Sequence, residues 1–128
     1  MNQARILYIE DEPVNRMLVQ RVLAAEGYRV EEAQDGPSGL EKARQCSPDL
    51  ILLDINLPGI DGYQMAEKLR AIPGMENIPI VALTANVMEG DRERSIGAGC
   101  NGYIQKPIDV DKLPDQIRAF LGQSQRRA

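Results

Sequence analysis

Asp49-Leu-Ile-Leu-Leu-Asp54-Ile-Asn-Leu-Pro-Gly59 is the stretch from which the fold of this chain is read. Leu50 to Leu53 run apolar and unbroken up to a carboxylate. A short apolar run without polar alternation is the pattern of a strand covered on both faces, as in parallel sheets. Asp54 then falls at the carboxyl end of that strand, where the chain leaves the sheet through a Pro58-Gly59 turn. In open α/β sheets that end is where ligands bind. An ionised group placed there stands between solvent and a low-dielectric wall, a position suited to chemistry.

The same unit recurs along the chain. Arg5 opens a strand over Ile6-Leu7-Tyr8-Ile9 that ends in Glu10-Asp11-Glu12. Pro13 suits the first turn of a helix, where its missing N–H costs nothing. Val14, Met17, Leu18, Val22 and Leu23 recur at helical spacing, and Gly27 offers a stop. Arg29 to Ala33 reads as a second strand. Asp35-Gly-Pro-Ser caps a helix carrying Leu40 and Ala43 that ends before Ser47-Pro48. Asp49 to Leu53 is the third strand. Asp61 caps a helix with Met65 and Leu69 inward, finished by Pro73-Gly74. Pro79 to Leu83 is a fourth strand ending at Thr84, followed by a charged helix over Met88 to Ala98. Gly102 to Gln105 makes a fifth strand closed by Lys106-Pro107. Asp109 starts a last helix, with Val110, Leu113, Ile117, Phe120 and Leu121 facing the sheet. Five strands alternating with helix-sized crossovers predict a doubly wound parallel sheet with five helices. No repeat or linker interrupts them, so one domain over residues 1–122 is expected, with 123–128 a frayed polar tail.

The 128 residues, 43% hydrophobic and 27% charged, suit one globular domain with a sizeable core. A net charge of −4 argues against broad attraction to nucleic acid or anionic membrane. No apolar run approaches the roughly 20 residues of a membrane helix. The N-terminal residues carry no signal-peptide pattern, so the cytoplasm is the expected location. Cys46 and Cys100 have no CxxC spacing and read as plain thiols. Histidine is absent, which removes Ser-His and Cys-His catalysis and His-ligated zinc.

The strand ends carry the chemistry. Strand one ends in Glu10 and Asp11, strand three in Asp54, strand four in Thr84 and strand five in Lys106. A parallel sheet puts these ends on one rim, whereas strand two, without such a group, suits the sheet edge. Taken singly, each is an ordinary solvated loop residue. Together they are not, because like charges at 4 Å repel by roughly 4 kcal/mol per pair at an effective dielectric near 20. Lys106 offsets part of this repulsion. An all-oxygen donor set suits Mg²⁺ for the rest. A carboxylate beside a divalent cation and an ammonium can attack phosphorus to form an aspartyl phosphate, with the Thr84 hydroxyl bonding a phosphoryl oxygen.

Ile9-Glu10-Asp11-Glu12, LILLDINLPGIDG over 50–62, ALTAN over 82–86 and GYIQKPI over 102–108 together resemble the receiver domain of two-component response regulators, over essentially the whole chain. The resemblance is to the single-domain type and implies a flavodoxin-like sheet of strand order 2-1-3-4-5. It implies that Asp54 is the phosphoacceptor. Asp11 ligates Mg²⁺ directly, Glu10 through water, and the Asn56 backbone carbonyl is the third protein ligand beside Asp54. Lys106 pairs with the phosphoryl group and forms a cis peptide with Pro107, while Thr84 and Tyr103 form the switch pair. On the residues alone, Tyr103 reads as a half-buried strand aromatic. Many relatives have Asp where this chain has Glu10. Asn56 and Asn86 flank the site and are expected to tune hydrolysis of the acyl phosphate. The implied partners are a histidine kinase or histidine phosphotransfer protein as donor and a downstream protein as target, met by the surface of the fourth helix, fifth strand and fifth helix. The only chemistry implied is the chain's own phosphorylation and dephosphorylation, not turnover of a free substrate.

Four rivals are weaker. Gly97-Ala-Gly99-Cys-Asn-Gly102 matches the dinucleotide fingerprint, but it precedes a strand instead of following one. A flavin phosphate is repelled by Glu10-Asp11-Glu12. A phosphohydrolase of the haloacid dehalogenase type needs an acid two residues beyond Asp54, where Asn56 stands. A phosphate-free interaction module leaves the filled chemical positions unexplained.

Overall fold

In a computed structural model describing residues 4–85 and 99–125, strands β1 (Arg5–Ile9), β2 (Arg29–Ala33), β3 (Leu50–Asp54), β4 (Ile80–Thr84) and β5 (Gly102–Gln105) form one parallel sheet. Their order is β2-β1-β3-β4-β5, the expected one. Helices α1 (Pro13–Ala25), α2 (Gly36–Cys46) and α3 (Gly62–Arg70), and a last helix over Leu113–Gln125, cover it. The helix expected over 88–98 lies outside the described residues.

Every position of β3 and β4 is buried, as continuous apolar runs require. Alternate residues feed opposite layers. Leu7, Ile9, Ile51 and Leu53 pack with Ala43 of α2 and Met65 and Leu69 of α3. Ile6, Tyr8, Leu50 and Leu52 pack with Val19 and Leu23 of α1 and with Ile117 and Leu121 of the last helix.

Strand bounds shift where side chains or ring nitrogens intervene. β3 begins at Leu50, not Asp49, whose carboxylate accepts from the Arg5 N–H at 2.8 Å. Pro79 has no N–H to give, so β4 starts at Ile80 and Pro79 offers only its carbonyl, 2.9 Å from the Ile51 nitrogen. The caps are as expected: Asp35 accepts from the Ser38 N–H and Asp61 from the Tyr63 N–H. Gly59 turns with φ +82°, and a Cβ on Gly62 would lie 2.4 Å from the Ile55 Cα. Glycines therefore let the chain fold back tightly after β3.

Two helices differ from expectation. The last one starts at Leu113 instead of Asp109, because Asp109 spends its carbonyl and carboxylate on a turn, accepting from the Asp111, Lys112 and Leu113 N–H groups. It continues through Gln125, so the first three residues of the polar tail are helical. In α1 the buried positions are Val19 and Leu23, while Val14, Met17 and Leu18 are 67%, 51% and 43% exposed. The helix lies on the sheet by the stripe one position further round. No helix among the described residues is long and apolar enough to cross a membrane.

Candidate functional site

β1 and β3 are neighbours whose following helices α1 and α3 lie on opposite faces, so a crevice opens beyond their carboxyl ends. Glu10 follows β1 directly and Asp54 ends β3. By alternation both belong to the α1 side of the sheet. Glu10 is 0% and Asp54 2% exposed, unusual values for carboxylates. With Asp11 they place one carboxylate oxygen each within 4.8 Å of one another.

Lys106, on the loop after β5, reaches both buried acids. Its Nζ is 3.1 Å from Asp54 Oδ2 and 3.3 Å from Glu10 Oε1. The Lys106-Pro107 peptide is cis, as expected, and the Lys106 N–H donates to the Thr84 carbonyl at 2.8 Å. The second oxygen of Asp54 accepts from the Asn56 N–H at 3.0 Å. Glu10 Oε2 accepts from the Glu12 N–H at 3.3 Å.

Burial first, then the close approach of Asp54, pushes the Glu10 carboxyl above the ordinary glutamate value, against the pull of Lys106. Burial disfavours the Lys106 ammonium, but Asp54 and Glu10 outweigh it and hold its pKa above the usual lysine value. The site therefore favours one additional cation. Its donors are all oxygens, which fits a hard divalent ion. Three carboxylates facing one ammonium leave a surplus of negative charge that such an ion neutralises.

Thr84 ends β4 and is buried, one residue beyond Leu83, which pairs with Asp54. Tyr103 lies in β5 opposite Ala82, half-buried against the α2–α3 layer. Thr84 lies on that same side by alternation. Asn56 is exposed, and Asn86 lies outside the described residues. The glycine fingerprint is also accounted for. Gly99 turns with φ +101° and Gly102 opens β5, so the motif leads into a strand; Gly97 lies outside the described residues. Both cysteines are free thiols, and burial raises Cys100 to about 11, which keeps it protonated and inert.

Two contributors escape sequence reasoning. The Tyr8 hydroxyl, inside the sheet layer, donates to Glu10 Oε1 at 3.0 Å. Arg16 of α1 donates to the Glu10 backbone carbonyl at 2.7 Å while its guanidinium faces Glu32. A tyrosine two residues before a buried acid on one strand was the available signal for the first.

Comparison with known proteins agrees with this fold. The family model for the response regulator receiver domain matches residues 6–118. The polar-differentiation response regulator DivK of Brucella anthropi is 37% identical over 117 residues, covering 91% of this chain and 95% of that protein. A CheY-like receiver domain protein from Methanospirillum hungatei superposes with a TM-score of 0.91 at 27% identity, over 99% of this chain and all of that one. The receiver domain of the sensor histidine kinase PA1611 from Pseudomonas aeruginosa, with magnesium in its active-site cleft, gives 0.85 at 37% identity over 94% of this chain and 99% of that one.

Proposed function

The chain belongs to the response regulator receiver domain family, and we propose that it is a phosphorylation-controlled switch in which Asp54 accepts a phosphoryl group from a partner's phosphohistidine. The observation that carries this reading is the rim itself: Glu10, Asp11 and Asp54 within 4.8 Å, with Lys106 on two of them.

In the transfer an Asp54 oxygen attacks phosphorus and the phosphorus–nitrogen bond breaks. The electron pair returns to the donor imidazole, which takes up a proton from solvent. The donor imidazole lies outside these 128 residues, which include no histidine. Asp11, Asp54 and the Asn56 backbone carbonyl would hold Mg²⁺, with Glu10 acting through water; the magnesium of the Pseudomonas receiver supports that choice of ion. When bound, the ion neutralises charge on the transferring phosphoryl oxygens. Lys106 offers its ammonium to the same oxygens, already oriented by Asp54 and Glu10, and is thereby preorganised.

The Thr84 hydroxyl then bonds the phosphoryl group, and Tyr103 turns inward as Thr84 moves. That exchange biases two packings of the surface expected of the fourth helix, β5 and the last helix, the first of which lies outside the described residues. Output is a protein contact or onward phosphotransfer from this cytoplasmic domain, whose last helix runs through Gln125; nucleic acid and membrane are not its partners.

Incubation with an acyl phosphate or a phosphohistidine donor, with Mg²⁺ or with chelator, tests the reading by intact-protein mass. Wild type gains one phosphoryl group only with Mg²⁺, and Asp54→Asn gains none. Equal labelling of Asp54→Asn would place the acceptor elsewhere, and labelling in chelator would remove the ion from the scheme.

A further inference from the structure

Tyr8 is 0% exposed within the layer formed by Ile6, Leu52, Val19 and Leu23, and its hydroxyl reaches Glu10. Residues two apart on a strand stand side by side on one face, so the ring runs along β1 toward its carboxyl end. The 3.0 Å bond to Glu10 Oε1 is made where neither group meets solvent. Both carboxylate oxygens of Glu10 and its backbone carbonyl have a protein partner. Oε1 faces Tyr8 and Lys106, Oε2 takes the Glu12 N–H, and the backbone carbonyl takes Arg16.

We propose that Tyr8 is a positioning residue for the acidic site: its hydroxyl fixes the Glu10 carboxylate in register with Asp11 and Asp54, so that the three acids form one preorganised cation cradle. The inference deepens the metal-dependent reading above and rests on it. The reason lies in the length of Glu10. A glutamate has one more rotatable bond than an aspartate, and its carboxylate sits one carbon–carbon bond further out, about 1.5 Å. A shorter acid at this position would be placed by its backbone alone. The longer one needs an outer partner to select a single rotamer, and a buried tyrosine hydroxyl with a fixed ring supplies it. Partners that orient a ligand from behind typically affect metal affinity by about 10- to 100-fold when removed. Tyr8 acts through Glu10, itself one water from the ion, so the lower end applies.

Four proteins test this: wild type, Tyr8→Phe, Glu10→Asp and the double variant, each freed of metal and titrated with Mg²⁺ by calorimetry. Tyr8→Phe removes only the hydroxyl from a buried ring. We expect about tenfold weaker Mg²⁺ binding from Tyr8→Phe when residue 10 is Glu. When residue 10 is Asp, the same change should cost less than about twofold, because the shorter acid does not depend on the phenol. An equal loss in both backgrounds would show that Tyr8 acts through packing and overturn the proposal, as would no loss in either.

A measurement on the unaltered protein stands beside the variants. A buried, hydrogen-bonded phenol proton exchanges slowly enough to give its own NMR signal. The Tyr8 hydroxyl signal should be present and should shift on Mg²⁺ addition; its failure to respond also counts against the proposal. If wild type itself binds no Mg²⁺, the metal-dependent reading fails instead, so the two failures are distinguishable.

Discussion

At the carboxyl ends of the strands, Glu10, Asp11 and Asp54 crowd within 4.8 Å and meet the ammonium of Lys106. At the amino ends the cations meet neutral acceptors. Arg70, at the end of α3, donates to the carbonyls of Met75, Ile78 and Gly99 at 2.7, 2.7 and 2.6 Å and to Asn101 Oδ1 at 2.9 Å. The same Asn101 oxygen accepts from the Ile80 N–H at 2.8 Å, tying the start of β4 to the turn before β5. Arg5 does likewise at β1, donating to the Cys46 carbonyl at 2.8 Å. A guanidinium spread over fixed carbonyls satisfies buried acceptors without placing like charges together. One rim is thus saturated and serves stability, while the other keeps a surplus of charge that an added cation relieves.

Removing the Lys106 ammonium from the charged rim should have the largest effect. Lys106→Met leaves Glu10 and Asp54 buried without their counter-charge, and breaking such a pair costs about 3 to 5 kcal/mol. Urea unfolding of the metal-free protein should show that loss, and saturating Mg²⁺ should recover part of it, because the ion replaces the missing positive charge. Phosphorylation should remain slow even with Mg²⁺, by about 100-fold, since the preorganised ammonium is gone. A variant as stable as wild type in chelator would mean that the rim carries no surplus charge.

At the other rim the outcome should have a different signature. Arg70→Ala removes the donor to the Met75, Glu76, Ile78, Gly99 and Asn101 oxygens, some of which solvent can reach, and should cost about 2 to 3 kcal/mol. Mg²⁺ should return none of this beyond the increment it gives wild type, because the lesion is far from the acids. Below its melting temperature the variant should be phosphorylated at the wild-type rate. Slowed phosphorylation of fully folded Arg70→Ala would show that the two rims are coupled and break the contrast.

The charged rim was legible in the sequence and the saturated one was not. Continuous runs such as Ile6–Ile9, Leu50–Leu53 and Ile80–Leu83 announce buried strands, and once strands are parallel their ends must share an edge. Glu10, Asp11, Asp54, Thr84 and Lys106 therefore sort themselves by position alone. Arg70 looks like any basic residue in the last turn of a helix, since its acceptors are backbone carbonyls of segments that only the tertiary fold brings beside it. α1 shows a related ambiguity. Val14, Met17 and Leu18 fit a helical stripe as well as Val19 and Leu23 do, and only the sheet decides which stripe is covered. Tyr8 was hidden for the opposite reason, being one more apolar ring in an apolar strand.

The smallest effect distinguishes two carboxylates by sign. Burial and the nearness of Asp54 raise Glu10 above its ordinary 4.5. The folded state then holds a proton that the unfolded chain releases, so the stability linked to Glu10 is full below 4.5 and lost as pH rises through the folded value. Asp35, bonded by the Ser38 hydroxyl and N–H at the start of α2, is held below its ordinary 3.8. Its contribution is full above 3.8 and lost as pH falls through the folded value. Metal-free protein taken downward from neutral pH should therefore first gain stability, as Glu10 takes up its proton, and lose it only below about 3.8. Thermal melts in chelator from pH 7 to 3 should trace that maximum, and Glu10→Gln should flatten its neutral side while leaving the acid limb in place. With Mg²⁺ the initial gain should vanish, because the ion and the proton compete for the same crowded oxygens. A monotonic fall from neutrality in chelator would mean that Glu10 is no harder to ionise than a surface acid, and the surplus charge assigned to that rim would have to be withdrawn.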